Sequence, residues 1–250
     1  MTFFADSSVK EGNVGRGRDL WMLGLDSVAG AAVLVAIYMA LVWVPDAANL
    51  TTPTERAAQH IFYLHMGMNI GAGLGYLGAF LVSILYLLTG RRIWDMIAVA
   101  AVELGVAFGA GVLATGSIWA KPTWNTWWTW DPRLTTAAIV VLVYVAYLML
   151  RGALEDPARR ARFAAVYGIF AFASVPLTFM SIRWWRTIHP VVIGGSNAEA
   201  QGAFAMGPSI RTAMFVSMIA FAIVFFALLA HRVRIEQTSE EVEQLKEQLA

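Results

Sequence analysis

Six apolar runs dictate what this chain can become, because each is long enough to cross a hydrocarbon core of about 30 Å. They cover residues 20–44, 63–88, 93–118, 134–150, 163–182 and 210–230. In lipid such a run satisfies its backbone hydrogen bonds internally only as a helix, so the expected fold class is all-α, a polytopic membrane protein with six transmembrane helices. Composition agrees: 58% of the 250 residues are hydrophobic and 14% charged, with a mean hydropathy of +0.61, well outside the range of soluble domains. A net charge of +1 without a basic stripe argues against nucleic acid as a partner. Cysteine is absent, which removes disulfide and thiol chemistry. The first twenty residues carry Lys10, Arg16 and Arg18 but no apolar run, so no cleaved signal peptide is expected and the first span serves as the membrane signal.

Orientation follows from the basic residues. The N-terminal tail, the 89–92 turn, the 151–162 loop and the C-terminal tail together hold twelve of the eighteen Lys and Arg. The opposite side holds Arg56, Lys121, Arg133, Arg183, Arg186 and Arg211. Both termini are therefore predicted cytoplasmic. The long loops 45–62, 119–133 and 183–209 then lie outside, and function is expected there. Residues 1–232 read as one six-span membrane domain and 233–250 as a charged, helical cytoplasmic tail. In that tail Ile235, Val242 and Leu249 recur every seven residues, as do Thr238 and Leu245, but two heptads fall short of a coiled-coil signal, and a solvated helix end is the favoured reading over a partner-binding helix.

The first outer loop ends in Thr52-Pro53-Thr54-Glu55, the pattern of a capping box with Pro at the first helical position. A helix from there to residue 88 would be about 54 Å long at 1.5 Å per residue, so its first turns stand above the hydrocarbon. His60 and His65 both ride on that part, but five residues separate them by about 140° around the axis. At most one faces a given site.

Between the third and fourth runs lies Trp124 to Asp131, reading Trp-Asn-Thr-Trp-Trp-Thr-Trp-Asp. Tryptophan settles at membrane-water boundaries, and a simple aromatic belt would account for it. If the stretch is helical, Trp124, Trp127, Trp128 and Asp131 share a face while Trp130 points away. That arrangement predicts a flat aromatic platform with an acid at its edge.

Four histidines divide by topology. His231 ends the last span on the cytoplasmic side, where a helix C-terminus favours a cation, and is read as structural. His189, in Arg183-Trp184-Trp185-Arg186-Thr187-Ile188-His189-Pro190, shares the outer boundary with His65 and the tryptophans. Two imidazoles there, with Trp and with Arg183 and Arg186 nearby, suggest a haem on axial His ligands, its propionates paired with arginine. A pair of interfacial histidines bonded to backbone stands as the alternative. A zinc site would want a third ligand, for which only His60 or Asp131 could serve. Glu103, inside span three, is read as a bundle-facing structural residue with a proton role as the alternative. Asp26 is read as belonging to a solvated span end. Asp131-Pro132 also fits an N-cap and first helical position for span four, and Arg133 then sits against the dipole preference, which hints at a task outside the helix.

Trp124 to Thr135, Trp-Asn-Thr-Trp-Trp-Thr-Trp-Asp-Pro-Arg-Leu-Thr, resembles the tryptophan-rich WWD signature of the haem-handling proteins of cytochrome c biogenesis, and within them the CcmC family. Thr115-Gly116-Ser117-Ile118-Trp119, Tyr63-Leu64-His65 and Trp184-Trp185-Arg186-Thr187-Ile188-His189 match as well, so the resemblance covers nearly the whole chain. It implies haem b held at the periplasmic face of the bacterial inner membrane, with His65 and His189 as axial iron ligands. Trp119, Trp124, Trp127, Trp128, Trp130 and Asp131 would make the platform, and Arg133, Arg183 and Arg186 would serve the propionates. It further implies delivery to the haem chaperone CcmE rather than enzymatic turnover, alongside the ABC transporter subunits CcmA and CcmB and the small protein CcmD. No phosphate-binding Gly-x-x-x-x-Gly-Lys-Ser/Thr loop occurs here, so ATP dependence would come from a partner. Where the family commonly has Gly after the first signature Trp, this chain has Asn125; after His65 it has Met66-Gly67-Met68, and His60 stays open as a substitute ligand. The alternative functions are a cytochrome c synthase-like enzyme, whose family has more spans and a large outer domain, and a membrane b-type cytochrome, which would bury its His pairs deeper.

Overall fold

The computed structural model describes residues 5–192, 198–203 and 205–249, with the side chains of 5–19 excepted. Lys10, Arg16 and Arg18 of the charge tally, residues 193–197 and 204 of the third outer loop, and Ala250 of the tail thus lie outside the described side chains. The described elements are α1 (Ala5–Tyr38, continued by a π-helical turn Met39–Trp43), α2 (Pro53–Thr89), α3 (Arg92–Trp124), α4 (Pro132–Gly152), α5 (Pro157–Ala171), α6 (Ser174–Trp184) and α7 (Pro208–Leu249). They make six membrane-length apolar helical segments, α5 and α6 sharing one, and no strand occurs among the described residues. The protein is a multi-pass helical membrane bundle.

Helix ends follow the chemistry of the sequence. Thr52 Oγ1 accepts from the Glu55 amide at 3.2 Å while Glu55 accepts from the Thr52 amide at 3.0 Å, closing the capping box that starts α2. Gly90, in the left-handed region at φ 66°, stops α2. Asp131 caps α4 and Asp156 caps α5, each followed by Pro at the first helical position. The fifth apolar run, expected as one span, is broken at Phe172–Ala173. Pro176 explains the break: it lacks the N–H that would reach the Phe172 carbonyl, and its ring crowds that carbonyl.

α2 and α3 pack closest. A Cβ at Gly75 would come within 2.6 Å of both the Ala101 carbonyl and the Gly105 Cα, so the two backbones touch through glycine. The core around that contact includes Ala72, Tyr76, Ala79, Val102, Val140, Tyr144 and Tyr147. A second core, near the tryptophan end, joins Phe62 and Tyr63 of α2 to Ile210, Ala213 and Met214 of α7 and to the close of the first span. α1 and its π-helical turn sit at the periphery against α7 and expose Leu34, Leu41 and Val42, as a lipid-facing helix does.

The end opposite the tryptophans is held by ions. Asp95 and Arg151 form a buried two-pronged pair at 2.5 and 3.1 Å. Arg92 bridges Asp95 and Glu240. Glu103 takes Arg232 of α7 at 2.5 and 3.0 Å, and His231 pairs with Asp26 at 2.8 Å. Glu103, Asp26 and His231 are therefore tied into helix-to-helix pairs. α7 runs from the membrane into the tail without interruption, and Ile235, Val242, Leu245 and Leu249 are exposed along it.

Candidate functional site

The tryptophan stretch is not a helix. α3 ends at Trp124, whose successor Asn125 adopts φ 56° and closes it, and residues 125–131 cross to α4 as an irregular bend. Asn tolerates the left-handed region better than any residue but Gly, and Asn125 ends α3 there. The single-face platform expected of a helix is consequently absent. Trp119 and Trp124 pack edge to face, with centroids 5.2 Å apart and planes at 84°, and Trp128 and Trp130 do the same at 6.0 Å and 85°. Trp119, Trp124 and Trp128 line a cavity, whereas Trp127 and Trp130, the latter 82% exposed, turn outward.

That cavity has a volume of about 340 Å³ and reaches from the tryptophan end down between α2, α3, α4, α6 and α7. His65 enters it from α2. Its Nδ1 meets Thr115 Oγ1 of α3 at 3.0 Å, while the Thr115 hydroxyl donates to the Gly111 carbonyl at 2.7 Å. A hydroxyl whose proton is already committed accepts, so the contact fixes the Nδ1–H tautomer and puts the imidazole lone pair on Nε2. Gly116 makes the approach possible: a Cβ there would stand 3.3 Å from the ring.

His189 reaches the same cavity from the other side, on the loop after α6. Its Nδ1 donates to the Pro190 carbonyl at 2.9 Å, which again puts the lone pair on Nε2. The loop is held by Asp131. One carboxylate oxygen accepts from the Arg133 amide at 2.9 Å and from the Thr187 hydroxyl at 2.7 Å, and the other accepts from the Ile188 amide at 2.9 Å. Thr187 Oγ1 in turn accepts from the His189 amide at 3.1 Å. Farther along, the Gln201 amide donates to the Ile188 carbonyl and the Gln201 carbonyl accepts from Trp124 Nε1 at 3.1 Å. Gly202 follows at φ 75°, where a Cβ would meet Thr123 at 1.8 Å, so only glycine lets the loop fold onto α3. Burial first, and the Arg133 charge second, push the His189 imidazole down to about 4. It is neutral at physiological pH, the form that ligates metal.

Arg133 and Arg183 line the cavity and Arg186 does not. Arg133 donates to the Thr178 carbonyl at 2.5 Å and lies 5.2 Å from the Phe179 ring. Arg186 is exposed in an ion pair with Glu199 at 2.5 Å. Asp131, buried beneath the loop, is absent from the cavity wall and acts as cap and clamp. His60 is away from the cavity, with Nδ1 at 2.7 Å from the Ala40 carbonyl in the π-helical turn. Sequence reasoning did not single out Thr115, Thr187, Gln201 or Gly202. Only Thr187 left a local signal, since Thr two residues before His can turn its hydroxyl onto the His amide.

The set of groups suits one ligand class. Among the described residues no three His, Cys, Asp or Glu gather as a protein-held zinc requires. Two imidazoles, three indoles, two arginines and a largely apolar wall match an amphipathic, iron-bearing macrocycle with carboxylates.

The family model described as Heme exporter protein C matches residues 16–248. A heme exporter protein C of Paracoccus denitrificans is 31% identical over 213 residues, covering 84% of either chain. One from Bradyrhizobium diazoefficiens is 35% identical over 144 residues, 56% of this chain and 53% of that one, so that match spans about half the relative's length. A putative cytochrome c biosynthesis ccmC-like mitochondrial protein of Marchantia polymorpha is 29% identical over 167 residues, 66% of this chain and 67% of that one.

Proposed function

The chain belongs to the heme exporter protein C family, and from that premise we propose that it binds haem b at the periplasmic face of the inner membrane and hands it to the haem chaperone CcmE. One observation carries the reading: His65 and His189, 124 residues apart by number, line the same cavity. A bound haem supplies iron with two axial positions, a flat aromatic ring and two carboxylates. His65, oriented by Thr115, and His189, oriented through Thr187 and Asp131, would hold the iron through Nε2. Trp119, Trp124 and Trp128 would offer the ring aromatic surface, and Arg133 with Arg183 would pair with the carboxylates. Trp127 and Trp130 belong to the exposed rim, where a partner that receives haem would meet the site. Arg186, tied to Glu199, helps hold the third loop rather than the ligand.

The basic end is inner in this arrangement, and residues 233–250 form its charged helical tail. CcmA, CcmB and CcmD are the membrane partners that family membership supports, with nucleotide chemistry assigned to an ATP-binding subunit. Delivery is tested by coexpressing the chain with CcmE and staining denatured CcmE for covalent haem. A haem-bearing CcmE that depends on this chain supports delivery; equal labelling in its absence contradicts it.

A further inference from the structure

We propose that a buried file of hydroxyls carries water, and with it protons, between the floor of the cavity and the ion cluster at the basic end. Tyr76 of α2 forms part of the cavity wall and is 4% exposed. Its ring stacks on Tyr144 of α4, with centroids 4.0 Å apart and planes at 17°. Tyr144, Tyr147 and Arg151 follow one another on a single buried face of α4, three and four residues apart. Ser83 of α2 joins them: a point one bond from the Gly168 Cα lies 3.1 Å from Ser83 Oγ and 3.4 Å from the Tyr147 ring. The file ends at the Arg151 guanidinium, 6.0 Å from the Tyr147 ring, and at Asp95. Residues 140–151 of α4 span about 16 Å at 1.5 Å per residue, roughly the inner half of the hydrocarbon.

The chemistry of these hydroxyls is what requires water. Tyr76, Tyr144 and Ser83 are buried with no protein hydrogen-bond partner, and the Tyr147 hydroxyl lies beside Arg151 without a bond of ordinary geometry. Nearby Tyr167 shows the contrast, since it donates to the Val143 carbonyl at 3.0 Å. Native interiors rarely leave one such group unmet, and in a membrane the penalty rises. Four such groups along one stretch, with a cavity at one end and ions at the other, offer water the several polar partners it needs. The charged groups facing it are Asp95 and Arg92 of α3 and Arg151 of α4, with Glu240 of α7 on Arg92 and Glu103 paired to Arg232 beyond. The file meets the basic end at the Asp95–Arg151 pair, where Arg92 and Glu240 carry the ion network on to α7. The cavity could then lose or gain charge as an anionic ligand arrives or leaves, without opening the bundle.

The test uses the full chain, free of haem, so it is independent of what the cavity binds. Millisecond hydroxyl-radical footprinting in nanodiscs reads water contact directly. Tyr76, Tyr144 and Tyr147 should be labelled despite their burial, at rates nearer exposed Trp130 than buried Phe225, and Ser83→Ala with Tyr147→Phe should suppress labelling at Tyr144. Labelling of the tyrosines no faster than Phe225 overturns the water file. In potassium-loaded vesicles with valinomycin and an internal pH dye, the chain should speed proton entry over protein-free vesicles, and Tyr144→Phe with Tyr147→Phe should return it to that baseline. Proton entry equal to protein-free vesicles, in protein that footprints as wet, overturns proton conduction. Retained haem binding in the Phe variants, or its loss, reports separately on the haem site.

Discussion

Asp131 accepts the Thr187 hydroxyl at 2.7 Å across 56 residues of sequence, so the cap of α4 and the loop carrying His189 hang on one carboxylate. Three donors converge on that group, two of them from the His189 loop. Replacing it removes more than charge. Asp131→Asn turns one acceptor oxygen into a donor facing a donor, which should cost about 1–3 kcal/mol of stability and weaken haem retention about 10–100-fold, as loss of an outer-shell partner does. Thr187→Val should give the haem defect with a smaller stability loss, and Thr187→Ser should restore it. Thermal unfolding and haem titration of the purified variants check both.

Thr115 plays the corresponding part for His65. Thr115→Val keeps the shape and removes the acceptor at Nδ1, leaving the tautomer unfixed. Haem affinity should fall about 10–100-fold, with Ser rescuing, while His60→Ala leaves haem unchanged because His60 bonds the Ala40 carbonyl outside the cavity. Titration of haem into each variant, followed by the Soret band, is the measurement.

pH dependence follows from the depressed His189 pKa of about 4 against an ordinary 6.5. The unfolded chain takes up the proton first on acidification, so the contribution of neutral His189 to stability is complete above about 6.5 and is lost as pH falls from there towards about 4. A His189→Gln variant, unable to titrate, should show a stability gap to the parent that changes across that window and is constant above it. Acid competition for the iron should likewise appear near pH 4 rather than 6. Unfolding curves from pH 8 to 4 and a haem-spectrum titration give the two profiles.

Breaking the ion pair at the opposite end tests the framework rather than the site. Asp95 and Arg151 are both buried and joined twice, so Asp95→Ala should destabilise the bundle by about 3–5 kcal/mol by stranding a buried guanidinium. Asp95→Ala with Arg151→Met should recover much of that loss. Chemical denaturation in detergent compares the single and double variants.

Much of this architecture can be read from residue order, and the parts that cannot share a cause. The six spans, the Thr52–Glu55 capping box and the Asp131-Pro132 start of α4 are local: hydrophobic length, caps and proline act on their own neighbourhood. The break at Phe172–Ala173 was local too, but the apolar run hid it, because hydropathy does not register a missing N–H at Pro176. The platform failed for a conformational reason. Periodicity presumes a helix through Trp124 to Asp131, and one left-handed residue, Asn125, ends it. Arg186 illustrates a nonlocal limit, since only the folded third loop brings Glu199 to it. Thr115, Gln201 and Gly202 matter through partners 50, 77 and 79 positions away, beyond any spacing rule.

The most direct measurement is the absorption spectrum of the purified, haem-loaded chain beside His65→Ala, His189→Ala and His231→Ala, the last removing the imidazole paired with Asp26 at the other end of the bundle. Two-histidine ligation at one cavity predicts that His65→Ala and His189→Ala each lose haem or shift its Soret and α bands, and that imidazole added to the solution restores them, while His231→Ala matches the parent. Parental spectra and haem content in both His65→Ala and His189→Ala would contradict it.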